Sequence, residues 1–248
     1  MHKFYYLMCG DYMFSFKNVF ISIVCVVLCG ILALTYIFIS KNISTETFLE
    51  TTTSIKIIID AGHGGIDGGA VGHNGVIEKD INLKIALKLK DFLSLSGYDV
   101  ILTRDTDTML EGEGKTKKVA DMNARLKIIT DNPDAIFLSI HQNLFSQNSS
   151  WGAQVFYSEN HFESEILASL IQSRFVELLQ PQNTRVSKQT DSSLYLFKNA
   201  QIPAVLIECG FLSNAIDANN LSDDEYQNKV AFVIFSAICD YYSYKING

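Results

Sequence analysis

Ser54-Ile55-Lys56-Ile57-Ile58-Ile59-Asp60-Ala61-Gly62-His63-Gly64-Gly65 passes from a β-branched apolar run into a glycine-flanked histidine. A short apolar run without strict polar alternation is the pattern of a strand covered on both faces. The stretch from Gly62 to Gly75 is rich in glycine and reads as a loop. Beyond it, Leu83, Ile85, Ala86, Leu87, Leu89, Phe92, Leu93 and Leu95 recur with helical spacing over Ile81 to Ser96, and Gly97 is a suitable stop. Tyr98 to Thr103 is again strand-like. A strand, a loop, a helix and a second strand form the β-α-β unit of an α/β fold.

The same alternation continues outward. Thr106 to Lys118 reads as an exposed loop leading to a helix at Val119 to Ile129, and Ala135 to Ile140 reads as a strand. Ala153 to Tyr157 is a further strand, Glu163 to Leu179 a helix stopped near Pro181, and Ser193 to Phe197 a short strand. Pro203 to Ile207 is a buried strand with proline at its first position. Asp223 to Tyr242 closes the chain as a helix, with Ser222 as its N-cap. The expected architecture is a single α/β domain at 54–245: a mixed, roughly six-stranded twisted sheet flanked by helices on both faces.

Ahead of this domain, Val19 to Ile39 carries no charged residue. At about 1.5 Å per residue, a helix there crosses a hydrocarbon core of roughly 30 Å. The sequence divides into a short segment at 1–18, a transmembrane anchor or signal segment at 19–40, a linker at 41–53 and the domain. The run is long for a cleaved signal and no small-x-small site follows it, which favours an uncleaved anchor over a cleaved signal or a core helix. Lys3 and Lys17 before the run, against Lys41 after it, lean towards the N-terminus inside and the domain outside. Cys9, Cys25 and Cys29 lie in or before the anchor. Cys209 and Cys239 in the domain are expected to be buried free thiols rather than a bridge. With 48% hydrophobic and 19% charged residues the chain is a folding sequence, and a formal charge of -7 argues against nucleic acid as its main partner.

Four separated stretches hold the chemistry: Asp60 to Gly65, Glu78-Lys79-Asp80, Ser139 to Asn143, and Glu208-Cys209-Gly210-Phe211-Leu212-Ser213-Asn214. His63 and His141 each follow a strand, and neighbouring strand ends would bring both imidazoles to one edge of the sheet. Two histidines and a carboxylate are a known catalytic zinc set with a fourth position left for water, and Glu78 is the candidate third ligand. Asp60 and Asn143 are candidates for orienting those ligands, and Asp80 is read as the N-cap of the first domain helix. Glu208 ends an otherwise apolar strand, where a carboxylate is costly to bury unless it is paired or functional; it is read as the candidate proton-transfer group ahead of a salt-bridged core glutamate. Cys209 has no visible activating context as a nucleophile. His73 and His161 read as solvated, Trp151 as either a substrate platform or a core cover, and Arg104 and Arg125 as partners of acidic neighbours or of substrate.

These motifs resemble the zinc-dependent N-acetylmuramoyl-L-alanine amidases, which cleave peptidoglycan between glycan and stem peptide. The likeness runs from about Ile55 to Tyr241. It rests on the glycine-flanked His63, Glu78-Lys79, the Ser-x-His-x-Asn around His141 and the Glu-x-Gly-Phe-Leu-Ser-Asn from Glu208, all in family order. It implies one zinc ion on His63, Glu78 and His141, with Glu208 as the catalytic carboxylate. Ala61 stands where the family usually has proline and Gln142 where alanine is common; modest effects on loop rigidity are expected. A single N-terminal anchor and no wall-binding repeats look most like the germination-specific amidases of spore formers, which act on cortex peptidoglycan and help make muramic lactam. That likeness implies peptidoglycan as substrate, the membrane through the N-terminal helix, and an activating protein or a cortex deacetylase acting on the product as partners. The catalytic domain would lie outside the cytoplasmic membrane, in the forespore–cortex space. Competing readings are a stem-peptide peptidase and a membrane-tethered wall-binding protein with a degenerate site.

Overall fold

The computed structural model describes residues 18–36 and 56–247. They fall in two compact units, one within 1–52 and one within 53–248. In the first, helix α1 (Asn18–Tyr36) has a mean hydropathy of 2.7 and is long and apolar enough to cross a membrane. Lys3, Cys9, Lys17, Lys41, the 41–53 linker and the first two residues of the expected first strand lie outside the described residues.

In the second unit the chain runs β1 (Lys56–Ala61), α2 (Glu78–Leu95), β2 (Asp99–Leu102), α3 (Lys117–Thr130), β3 (Ala135–Asn143), β4 (Gln154–Tyr157) and α4 (Glu163–Leu178). It continues through β5 (Lys188–Gln189), α5 (Tyr195–Asn199), β6 (Ala204–Phe211), α6 (Ala215–Ser222) and α7 (Asp224–Asn247). The six strands lie in the order β2-β1-β3-β6-β4-β5. All neighbours are parallel except β4 against β6, so the sheet is mixed and six-stranded.

Successive strand side chains point to opposite faces, and the two cores divide by that parity. Ile57, Ile59 and Ala61 of β1, Ile136, Leu138 and Ile140 of β3, and Val205, Ile207 and Cys209 of β6 pack with α2, α4 and α7. Ile58, Phe137, Ala204 and Leu206 pack with α3 and α5. By the same parity Asp60, Ser139, His141 and Glu208 belong to the α3/α5 face, at the C-terminal ends of three parallel strands. An open α/β sheet presents its ligand crevice there.

Several local expectations are corrected. Residues Ser193 to Phe197 do not form a strand; a turn leads into helix α5, whose Leu196 and Phe197 close the second core. The fifth strand is instead β5, a two-residue edge on β4. Asp80 does not cap α2: the helix starts at Glu78, with Ile77 at the cap position and no side-chain bond. Ser222 ends α6, and Asp223 Oδ1 accepts from Tyr226 N at 2.8 Å to start α7. Helix α6, to which the sequence reading assigns no element, is capped by Asn214, which accepts from Ile216 N and Asp217 N. Its short, weakly amphipathic sequence gives little periodic signal. Cys209 and Cys239 are free thiols; Cys209 is buried and Cys239 half-buried.

Candidate active site

Gly62 directly follows β1, and its N–H continues the ladder to Ile140 O at 3.1 Å. A Cβ at Gly62 would stand 2.2 Å from His141 Nε2, so the loop passes flush against that ring. His63 follows with φ 61°, the one non-glycine positive φ among the described residues. The loop then returns to α2, where Ala70 N donates to Glu78 Oε2 at 2.8 Å.

Glu78 opens α2 and is 4% exposed. Its Oε2 lies 3.2 Å from His63 Nε2 and its Oε1 lies 2.9 Å from His141 Nδ1. Oε1 also accepts from Gln142 N at 3.1 Å. The two imidazole centroids are 4.9 Å apart. One donor atom from each of His63, Glu78 and His141 can be chosen so that all three lie within 4.8 Å of one another, a set that could hold one metal ion. Burial alone would push the Glu78 carboxyl up, but the hydrogen bonds and charge of His141 and His63 outweigh it and hold it well below the usual range. For His63, burial works against the charged ring and is overcome by Glu78 and then Asp67, so its pKa is raised. The site therefore favours positive charge on His63 beside an ionised Glu78 carboxylate, a charge balance that a divalent ion can replace.

Glu208 reaches the same place from β6, paired in register with His141. Its Oε2 is buried and has no hydrogen-bond partner. Burial raises its pKa to about 7, His141 opposes this, and Glu78 adds to it. A carboxyl poised near neutrality beside a set of metal donors suits proton transfer. The pocket that His63, His141 and Glu208 line is about 290 Å³ and is walled by Lys118 and Met122 of α3 and by Tyr195 and Phe197 of α5.

The orienting groups are not those the sequence suggested. Asp60 makes no hydrogen bond to either ring. It accepts from Thr103 Oγ1 at 2.8 Å and Ser139 Oγ at 2.6 Å and pairs with Arg125. Asn143 sits in the β3–β6 ladder, its carbonyl accepting from Leu212 N. His63 Nδ1 instead meets Asp67 at 3.1 Å. Gln142 lies beneath Glu78, not in the loop: its Nε2 donates to Asn82 Oδ1 at 3.1 Å, and Asn82 donates to Gly62 O at 3.1 Å. Arg104 turns inward, donating to Ala61 O at 2.8 Å and to Gly62 O at 3.0 Å. Neither arginine is free for substrate. The signals that could have found these partners are the parity of Asp60 with the α3 face and the short spacing of Asp67 from His63.

Other candidates fall away from the pocket. Cys209 points into the opposite core, and burial drives its thiol far above the ordinary range, so it is no nucleophile. His73 is exposed, and His161 is stacked on Phe162. Trp151, 39% exposed, lines a separate depression with Pro181 and Ile216.

Residues 57–240 match the family model described as N-acetylmuramoyl-L-alanine amidase. The germination-specific N-acetylmuramoyl-L-alanine amidase of Bacillus subtilis (strain 168) is 36% identical over 225 residues, covering 88% of this chain and 94% of that relative. Among solved structures, the CwlD amidase from Clostridioides difficile in complex with the GerS lipoprotein superposes with a TM-score of 0.73 and 42% identity. That match covers 76% of this chain and 98% of the other. An N-acetylmuramoyl-L-alanine amidase from Clostridium difficile 630 follows at a TM-score of 0.68 and 26% identity, covering 77% of this chain and 97% of the other. On this match of sequence, fold and enzyme chemistry, the chain belongs to the N-acetylmuramoyl-L-alanine amidase family.

Proposed function

We propose that the chain is a zinc-dependent hydrolase of the amide between N-acetylmuramic acid and L-alanine in peptidoglycan, with His63, Glu78 and His141 holding one ion and Glu208 moving the proton. The observation that carries this reading is the buried, unpartnered Oε2 of Glu208, a residue that lines the same pocket as His63 and His141, the two imidazoles that converge with Glu78. Two imidazoles, one carboxylate and an open side fit a catalytic zinc ion. Such an ion, when bound, supplies Lewis acidity to an amide carbonyl and acidifies water. Glu78, held by Gln142 N and Ala70 N, keeps the two imidazoles converged. Glu208 takes a proton from attacking water as the carbonyl carbon becomes tetrahedral, then returns one to the departing alanine nitrogen. Helices α3 and α5 wall the pocket.

Helix α1 supports membrane attachment, and membership of a cell-wall amidase family supports an outer-side catalytic unit. The germination-specific relative supports a place in spore cortex maturation, where the freed muramic acid would pass to a deacetylase on the way to muramic lactam. The lipoprotein held by the Clostridioides difficile relative supports a lipoprotein as the protein partner.

Full-length protein in detergent, loaded with zinc and incubated with purified sacculi, should release stem peptides that begin with alanine, read by mass spectrometry. Glu208→Gln should keep one zinc per chain and lose turnover by about 10²–10⁴-fold. Near-normal turnover in that variant would remove Glu208 from the mechanism. A muramic acid–alanine bond left intact while the stem is cut would indicate the peptidase reading. Pelleting with the wall and no soluble product would indicate a binding protein.

A further inference from the structure

We propose that Asp67 is the positioning residue that sets which nitrogen of His63 faces the metal, and thereby sets the affinity of the site; this rests on the zinc reading above. His63 is held at two points. Its main chain adopts the left-handed conformation (φ 61°), which a residue with a Cβ enters at an energetic cost unless it is anchored. Arg125 supplies that anchor by donating from Nη2 to His63 O at 2.7 Å. This fixes the Cα but leaves the ring free to turn about its last bond and to carry its proton on either nitrogen.

Asp67 settles the ring. Its Oδ1 lies 3.1 Å from Nδ1, on the side away from Glu78, whose Oε2 lies 3.2 Å from Nε2. A carboxylate at Nδ1 holds the proton there, which leaves the Nε2 lone pair for an ion beside Glu78. Asp67 is itself built in. Its backbone exchanges hydrogen bonds with Gly64, N to O at 3.0 Å and O from N at 2.9 Å, and Gly69 N donates to Oδ1 at 3.3 Å. Its other oxygen faces Lys118 Nζ at 3.6 Å, a long contact to a side chain that is 72% exposed. Both Glu78 oxygens are committed to the converging side of the rings. Asp67 therefore holds the outer edge of His63. The Gly64–Asp67 turn is in effect a jig that carries the orienting carboxylate four residues past the ligand it orients.

The test measures zinc dissociation constants by chelator competition on the full-length protein in detergent, for wild type, Asp67→Ala, Asp67→Asn and Lys118→Ala. Long-range ¹H–¹⁵N spectra of the zinc-loaded, histidine-labelled proteins accompany them. Asp67→Ala should weaken zinc by about 10–100-fold, the range for losing a group that orients a ligand. Asp67→Asn retains an oxygen that accepts from Nδ1–H and should fall between wild type and Asp67→Ala. Lys118→Ala should bind as wild type does. The His63 Nδ1 proton should be visible in wild type and Asp67→Asn and lost to exchange in Asp67→Ala. If Asp67→Ala does not fold, Asp67→Asn and its Nδ1 resonance decide the matter. Zinc binding by Asp67→Ala as tight as wild type would overturn the proposal. So would an Asp67→Asn as weak as Asp67→Ala, because charge rather than orientation would then be responsible. Wild type without zinc affinity would instead overturn the zinc reading on which the proposal stands.

Discussion

Arg125→Met tests whether the strand ends around the site are held by one buried cation. Arg125 is 2% exposed and lies between two carboxylates, Asp60 and Asp121. It donates to Asp121 Oδ2 at 2.8 Å, Ala61 O at 3.1 Å and His63 O at 2.7 Å, and pairs with Asp60 Oδ1. Methionine fills much of the stem volume but leaves Asp60, 1% exposed, with only the hydroxyls of Thr103 and Ser139. Breaking a buried pair from one side costs about 3–5 kcal/mol. For a domain of this size each kcal/mol moves Tm by about 2–4 °C, so the variant should melt roughly 6–20 °C lower.

The pH dependence has a definite sign. Burial alone would raise the Asp60 pKa, but Arg125, the Ser139 hydroxyl, His141 and the Thr103 hydroxyl together outweigh burial and hold the carboxyl below its ordinary value of 3.8. In wild type the pair's contribution is present above 3.8 and is lost as pH falls through the depressed folded value. Without Arg125, burial raises the Asp60 pKa, so acid neutralises the stranded carboxylate and relieves the cost. The gap between the two proteins should therefore be widest near neutrality and narrow towards pH 3.8. Thermal melts by circular dichroism, with chelator present so that metal makes no contribution, read both effects. A shift below about 2 °C near neutrality, less than one kcal/mol by the same scaling, would refute the reasoning. A gap that stayed constant with pH would refute it as well.

Gly69→Ala would place a Cβ 2.5 Å from Glu78 Oε2 and 2.6 Å from His63 Cδ2 at φ 67°. It should weaken zinc by at least about tenfold, read by chelator competition. Cys209→Ala should leave turnover on sacculi unchanged, because that thiol lies in the core away from the pocket; loss of turnover at constant fold would contradict its placement. Asp217→Ala strips the acceptor from Gly152 N (2.7 Å) and Phe211 N (2.9 Å) and should destabilise by about 2–4 kcal/mol in denaturant melts.

Local chemistry made much of this protein legible. The apolar runs from Lys56, Ala135 and Ala204 announce strands because a doubly covered strand has no polar face to display. Helices α2, α4 and α7 announce themselves by period. Glu208 stands out because a carboxylate after Ala204-Val205-Leu206-Ile207 contradicts its own strand. Less was visible at α5, where residues 195–199 make one short turn of helix around Leu196 and Phe197 and offer too few residues to separate a period of two from one of 3.6. The cap positions were also obscured. Asp80 is a good N-cap residue by type, but the helix begins two residues earlier so that Glu78 can reach both imidazoles.

The sequence by itself determined the alternation of elements, the layers of the sheet and the four side chains of the candidate site, since each is written in residue type and spacing over a few turns. Only the tertiary structure decided who holds them. Arg125 reaches Asp60 and His63 across more than sixty residues, Gln142 N holds Glu78 from the end of β3, and Asp67, near His63 in sequence, finds its ring only because the Gly64–Asp67 turn folds back. Such pairings depend on strand register and on which face each strand turns to α3, and no local pattern carries that information.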